Sequence, residues 1–153
     1  MLKKKKAFTL IELLVVIAVI GMLSSIVLVS LGPARKKSRD ARRQADARQV
    51  STAMDMCYDD TVCNARESYI DTAAGNAANT PIGTYLTVPT DPSNTGSQVY
   101  KWTDGTSQYY CFYVQLESVA NTWFCGSNKG VKEKTQATYT PTNADCCGLN
   151  VTN

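Results

Sequence analysis

The sequence contains no histidine, and this absence removes the side chain that most often serves as a general base or a metal ligand. None of its six cysteines belongs to a C-x-x-C pair, which argues against a structural zinc site and against a thioredoxin-like redox motif. The spacing of Asp91 and Asp104 matches no calcium-binding loop. No nucleophile–base pair is visible either. We therefore expect a protein that is not an enzyme and that binds neither a metal nor a cofactor.

Charge is missing from one long stretch of the chain. Residues 8–31 form an apolar run in which Glu12 is the single charged side chain. As an α-helix the run is roughly 36 Å long, which suffices to cross a bilayer core of about 30 Å. It is too long for an ordinary secretory signal peptide, and no A-x-A-like cleavage site follows it. The lysines Lys3–Lys6 predict a single-pass helix whose N-terminal end stays in the cytoplasm.

The segment K-A-F-T-L-I-E at residues 6–12 resembles the class III leader of type IV pilins and type II secretion pseudopilins. The resemblance implies that a prepilin peptidase cuts between Ala7 and Phe8 and that the new amine of Phe8 is N-methylated. The family usually has glycine where this chain has Ala7. The implied fold is α+β. A long helix protrudes with its apolar half, and its C-terminal half packs on an antiparallel sheet of about three to four strands.

The same resemblance implies a structural subunit of a type IV pilus-like filament. Such a subunit is held in the cytoplasmic membrane before assembly and is displayed on the cell surface afterwards. The implied partners are other copies of the chain, prepilin peptidase, and an assembly machinery with a platform protein and, indirectly, an ATPase. A pseudopilin of a type II secretion or competence system is the alternative within this class. In a different class, a membrane-anchored domain that never polymerises would bind a glycan through aromatics such as Trp102, Tyr109 and Trp123.

Glu12 is the residue that the resemblance ties to assembly. A carboxylate in a membrane span costs about 2.5–3.5 kcal/mol, and burial in a bundle of helices leaves it in need of a partner. The nearest new cation is the Phe8 amine that cleavage creates. Phe8 and Glu12 are four residues apart, roughly 6 Å along the helix axis, so a neighbouring subunit offset along the filament can place its Phe8 amine beside Glu12. We expect this pair to set the axial register. The other interpretation is that the helix macrodipole alone favours an acid at this position.

The helical pattern has soft points. Proline removes a backbone hydrogen bond at Pro33, Gly32 adds freedom beside it, and Gly21 is a second weak position. We expect a bend near Gly32-Pro33, and the resemblance to pilins implies a melted stretch between Gly21 and Pro33 in a filament. Alternatively, these residues merely suit packing in a membrane.

The sequence divides into four predicted parts. They are the leader at residues 1–7, the apolar helix at 8–32, an amphipathic helix at 33–58 and a head at 59–153. The head begins with a long loop at 59–97 and ends in a polar tail at 129–153.

The amphipathic helix carries one apolar stripe. Ala47, Val50, Met54 and Cys57 recur three or four residues apart, with Ala53 beside them, which predicts a face packed on a sheet. We interpret the basic residues in front of Ala47 as a solvated face or as contacts to headgroups. A DNA-binding surface is the weaker alternative. Those basic residues, with Arg48, are Arg35, Lys36, Lys37, Arg39, Arg42 and Arg43.

Strand signals dominate the head after residue 98. Asp104-Gly105 predicts a hairpin turn between strands at 99–103 and 109–116, and a third strand covers 122–126. Alternation places Phe112 and Val114, with Tyr110 and Leu116, on one face. It places Cys111 and Tyr113 on the other.

The six cysteines suggest an oxidising compartment and a set of disulfides. Pairing Cys111 with Cys125 across the hairpin places aromatic opposite aromatic and leaves 117–119 as the loop, so we infer that bridge. Cys57 and Cys63 then pair crosswise with Cys146 and Cys147. The alternative is a local Cys57–Cys63 ring.

Overall fold

The computed structural model describes residues 8–61, 63 and 65–151, with the backbone alone at Ser30. The chain divides into two compact units, Met1–Arg35 and Lys36–Asn153. Helix α1 runs from Leu10 to Tyr58, and its helical assignment continues through Pro33. The predicted leader, including Ala7, lies outside the described residues. The bend near Gly32-Pro33 stays a prediction.

In the first unit, the segment Leu10–Val29 has a mean hydropathy of 2.7, and none of it is buried. It is long and apolar enough to cross a membrane by length and composition. Its serines are satisfied within the helix, because Ser24 Oγ donates to the Ile20 carbonyl and Ser25 Oγ to the Met22 carbonyl, both at 2.7 Å. The hydroxyls of Ser24 and Ser25 therefore need no partner from outside the chain.

The second unit is an α+β head, so the predicted fold class is confirmed. The strands are β1 (Gly75–Asn76), β2 (Pro81–Ile82), β3 (Leu86–Thr87), β4 (Lys101–Trp102), β5 (Cys111–Gln115), β6 (Thr122–Ser127) and β7 (Gly130–Thr135). The main sheet is antiparallel, with five strands in the order β1-β4-β5-β6-β7, where three to four were expected. Strands β2 and β3 form a separate pair within the long loop.

The predicted helix stripe is the face that packs on the sheet. Ala47, Val50, Met54 and Cys57 are fully buried, and Ala53 is nearly so. They meet an inner sheet face on which Tyr110, Phe112, Val114, Leu116 and Phe124 belong to the same core. The approach is close: a Cβ on Gly126 would lie 2.5 Å from Ser51 Oγ and 3.3 Å from the Ala47 carbonyl. Glycine at position 126 thus lets the helix lie against β6.

The two faces of β5 are as predicted, but the register of its hairpin with β6 is not. Cys125 pairs with Tyr113 rather than with Cys111, which itself lies opposite Ser127. The Leu116 N–H donates to the Thr122 carbonyl, so the loop covers residues 117–121 instead of 117–119. Because the shift is two residues, every side chain keeps its face.

The predicted turn at Asp104-Gly105 is also wrong. The Thr103 N–H still donates to the Cys111 carbonyl at 3.0 Å, and the chain reverses only between Thr106 and Tyr109. Asp104 instead accepts a bond from the Ala74 N–H at 2.7 Å, and the Gly105 N–H donates to the Thr72 carbonyl at 2.8 Å. The dipeptide therefore anchors the long loop to the sheet.

The disulfides are Cys57–Cys63, Cys111–Cys146 and Cys125–Cys147. The inferred Cys111–Cys125 bridge and the crosswise pairing of the helix end with the tail are thus corrected. The part of the tail that follows β7 lies over the outer face of the sheet, where Tyr113, Cys146, Cys147 and Val151 are buried in a second cluster. Cys146 and Cys147, which are adjacent in the chain, can then bond to the adjacent strands β5 and β6. The sulfurs of Cys111, Cys125 and Cys146 lie within 4.8 Å of one another, but disulfide sulfurs are not thiolate ligands.

Candidate functional site

The N-terminal end of α1 is closed by a reciprocal pair of side chains. Thr9 directly precedes the helix, and both its N–H (2.9 Å) and its hydroxyl (2.7 Å) donate to Glu12 Oε2. In return, the Glu12 N–H donates to Thr9 Oγ1 at 3.3 Å. This is a capping box, in which a threonine and a glutamate three residues later satisfy backbone donors at a helix start.

The structure joins Thr9 and Glu12 by these bonds, and Phe8 directly precedes Thr9 outside the helix. The side chain of Phe8 is 88% exposed. Among the described residues, no cation forms an ion pair with Glu12, and both bonds to its carboxylate end on the same oxygen. The carboxylate is therefore held locally but is not neutralised within the described chain.

Steric crowding does not explain why glycine occupies positions 21 and 32 of the apolar helix. A Cβ added at Gly21 or at Gly32 would meet no atom within 4 Å. Close packing within the described chain therefore does not require glycine at either position. Their suggested role in bending or melting the helix stays a prediction.

A cluster of charged residues in the head was missed by the sequence reasoning. Arg43 is fully buried and donates to Asp91 through Nε (2.6 Å) and Nη2 (2.8 Å), and to Asp40 through Nη1 (2.8 Å). Its Nη2 also lies 2.6 Å from Glu117 Oε1. Arg39 binds both oxygens of Glu117 at 2.9 and 2.5 Å. One helix is thus joined to the loop at Asp91 and to the β5–β6 loop.

These contacts change the protonation of the carboxyls. The bidentate Arg39 guanidinium lowers the pKa of Glu117 to about 2. Burial by itself would raise the pKa of Asp91, but hydrogen bonds from Arg43 and from the N–H groups of Ser93 and Asn94 hold it below its usual range. Burial likewise opposes the lowered pKa of Asp40, which accepts bonds from the β5–β6 loop and from Arg43. All three carboxyls are therefore ionised at neutral pH.

The burial of Arg43 corrects the interpretation of the basic segment as one solvated face. Arg39 and Arg43 are four positions apart, and Asp40 precedes Arg43 by three, so all three can lie on one side of the helix. This spacing is the one local sign of the cluster. Their remaining partners lie far along the chain. Arg48 stays exposed, with its guanidinium 5.5 Å from the centre of the Phe124 ring. The other exposed basic residues are Arg35, Lys36, Lys37 and Arg42.

The aromatics suggested for ligand binding are less accessible than expected. Trp102 is 2% exposed and belongs to the inner core, where its ring lies 5.1 Å from that of Phe112. Tyr109 and Trp123 are half-buried against the outer-face cluster. Trp102 is therefore withdrawn as a candidate ligand-binding residue.

Comparison with known proteins identifies the N-terminal segment. Residues 2–28 match the prokaryotic N-terminal methylation motif. The match contains Phe8, Thr9 and Glu12 and ends within the apolar part of α1. No curated protein and no solved structure gives a significant match to this chain.

Proposed function

We propose that this chain is a structural subunit of a type IV pilus-like filament, because the methylation motif at residues 2–28 is typical of type IV pilins and pseudopilins with a class III leader. A prepilin peptidase cuts between Ala7 and Phe8, and the new amine of Phe8 is methylated. Subunits then move from the membrane into a bundle of their apolar helices. In the bundle Glu12 pairs with the Phe8 amine of a neighbouring copy.

The state of Glu12 is the observation that carries this proposal. Its carboxylate lies in an apolar segment, has no ion-pair partner among the described residues, and follows by four residues Phe8, whose amine the proposed cut would release. A charge that leaves water needs a counter-charge, and a neighbouring copy supplies one. Capping alone explains the acid less well, because glutamine serves the same position of a capping box without the charge.

The contrast between the units supports the same conclusion. The large apolar side chains of the first unit, from Phe8 to Leu31, are exposed as far as they are described, whereas the head buries its own core. Lipid covers such a helix in the membrane, and copies of the same helix cover it in a filament. The partners of the proposal are accordingly the membrane, other copies of the chain, prepilin peptidase and the platform protein and ATPase of an assembly machinery.

A pseudopilin of a type II secretion or competence system is the second candidate, because the leader is common to both classes. In that case the filament is short and stays within the cell envelope. The non-polymerising binding domain has less support, since Trp102 is buried. A DNA-binding role rests on the exposed basic residues alone.

Electron microscopy of sheared surface fibres, with the subunit identified from proteolytic peptides, tests the proposal. Mass spectrometry should find a mature N-terminus at methylated Phe8. An intact leader in the membrane fraction with no fibres would contradict polymerisation. Short fibres confined to the envelope would identify the pseudopilin.

Two substitutions separate the charge of Glu12 from its capping role. Glu12→Val removes both, and Glu12→Gln keeps the capping box but removes the charge. We expect both variants to insert into the membrane and to form few fibres. Abundant fibres from Glu12→Gln would show that the charge pair is not needed.

A further inference from the structure

Thr9 is bonded to Glu12, but the proposed function gives it no role in assembly. Thr9 gives two hydrogen bonds to one carboxylate oxygen, Oε2, and the described chain gives none to Oε1. We infer that Thr9 is a positioning residue, which fixes the Glu12 carboxylate so that Oε1 faces an incoming amine of a second copy. This inference rests on the proposed function.

The geometry shows why the second oxygen is the one left for a partner. A carboxylate oxygen offers about two lone-pair sites, and the N–H and hydroxyl of Thr9 take both on Oε2 at 2.9 and 2.7 Å. The return bond from the Glu12 N–H to Thr9 Oγ1 closes the ring. The carboxylate is thereby fixed before any partner arrives, which reduces the entropy lost on binding.

The chemistry of the partner matches the vacant oxygen. A methylated amine is a secondary ammonium, with one positive charge and two N–H donors. One N–H can donate to Oε1 while the charge neutralises the carboxylate. Without the hydroxyl of Thr9, Oε2 would lose a donor in a setting without water, where an unsatisfied acceptor of a charged group is costly.

Three substitutions at position 9 distinguish positioning from helix capping. Thr9→Val removes the hydroxyl at similar volume, and Thr9→Ser keeps it. Thr9→Gly removes it with little loss of capping, because glycine is tolerated at that position. The measurements are fibre number by electron microscopy and the amount of cleaved, methylated subunit by mass spectrometry. Fibre number is normalised to processed subunit, so that a processing defect does not imitate an assembly defect.

We expect Thr9→Val and Thr9→Gly to lower normalised fibre number about tenfold, as loss of one hydrogen bond to a charged group would. Thr9→Ser should restore it. Normal fibres from Thr9→Val, or recovery in Thr9→Gly alone, would overturn the inference.

A parallel Glu12→Gln culture distinguishes failure of the proposed function from failure of the inference about Thr9. If Glu12→Gln assembles normally, the charge pair of the proposed function fails. If Glu12→Gln is defective while Thr9→Val is normal, only the role of Thr9 fails.

Discussion

Glu12 and Arg43 are charged residues of the same helix, and the two units of the chain provide for them in opposite ways. Glu12 lies in the apolar segment, and Arg43 is buried in the head. Glu12 is bonded to Thr9, three residues away, and has no cation among the described residues. Arg43 is bonded to Asp91, 48 residues away, and its neighbour Arg39 to Glu117, 78 residues away. The first unit satisfies its polar groups locally, whereas the head satisfies a buried charge through distant segments.

The two units depend on contacts of different range along the chain. The helix of the first unit makes its hydrogen bonds within three or four residues, and a membrane-spanning helix satisfies its backbone in this way without neighbours. The head depends on contacts that only the complete fold supplies. Substitutions that remove long-range links should therefore unfold the head and leave the membrane helix unaffected.

The largest effect should come from removing both disulfides of the tail, with serine at Cys111, Cys125, Cys146 and Cys147. Their sequence separations are 35 and 22 residues, and we expect the head to lose about 5 kcal/mol or more of its free energy of unfolding. The measurement is denaturant unfolding of the full chain in detergent by tryptophan fluorescence, because both tryptophans lie in the head.

The matched control is removal of the Cys57–Cys63 disulfide, which closes a separation of 6 residues and should cost about 2 kcal/mol. Both variants should still insert into the membrane. Equal losses in the two variants would contradict the role of long-range links.

A smaller loss is expected for Arg43→Met. Without the guanidinium, Asp40, Asp91 and Glu117 keep their charges in a buried site, and breaking such a pair costs about 3–5 kcal/mol. The same fluorescence measurement gives the loss.

The control Arg42→Met removes a neighbouring arginine whose side chain is 60% exposed and lies 3.7 Å from Asp46. Its effect should stay within about 1 kcal/mol. Similar losses for the two arginines would mean that the buried cluster adds no stability.

Acid should weaken the same cluster. The folded state lowers the pKa of Asp40, Asp91 and Glu117, the last to about 2. Their stabilisation is therefore complete above the ordinary carboxyl pKa of about 4, and it is lost as the pH falls through the lowered pKa values of the folded state, which is about 2 for Glu117. We expect a loss on the order of 2 kcal/mol over this window, measured as the shift of the denaturation midpoint.

Arg43→Met tests whether this cluster causes the loss of stability in acid. The variant should make the stability of the head less sensitive to pH between about 4 and 2. A variant with the wild-type pH dependence would assign the acid effect to other carboxyls.

The smallest effect on the isolated subunit belongs to Gly21→Ala. A Cβ there meets no atom within 4 Å, and alanine favours a helix by about 1 kcal/mol over glycine. Helix content in detergent, measured by circular dichroism, should stay the same or rise. If the helix melts at this position in filaments, fibre number should fall, and unchanged fibres would remove Gly21 from that role.

Periodicity predicted much of the head. The stripe from Ala47 to Cys57 and the two faces of β5 follow from helical and strand periods, and both are confirmed. These features depend on which side of an element a residue occupies, and local sequence decides that.

Register and pairing were not predictable in the same way. The Asp40 carboxylate accepts bonds from the N–H groups of Glu117 and Ser118, and this contact accompanies the five-residue loop that shifts the β5–β6 register by two. The partners of Cys146 and Cys147 depend on where the tail lies on the sheet. No pattern near these residues carries that information.

The methylation motif and the membrane-length helix follow from local sequence, because each lies in one continuous segment of the chain. The burial of Arg43 among three carboxylates and the two disulfides that hold the tail on the outer face are visible in the folded head alone. Those contacts join segments that are distant in the chain. Their energies depend on the folded positions of loops, which local patterns do not specify.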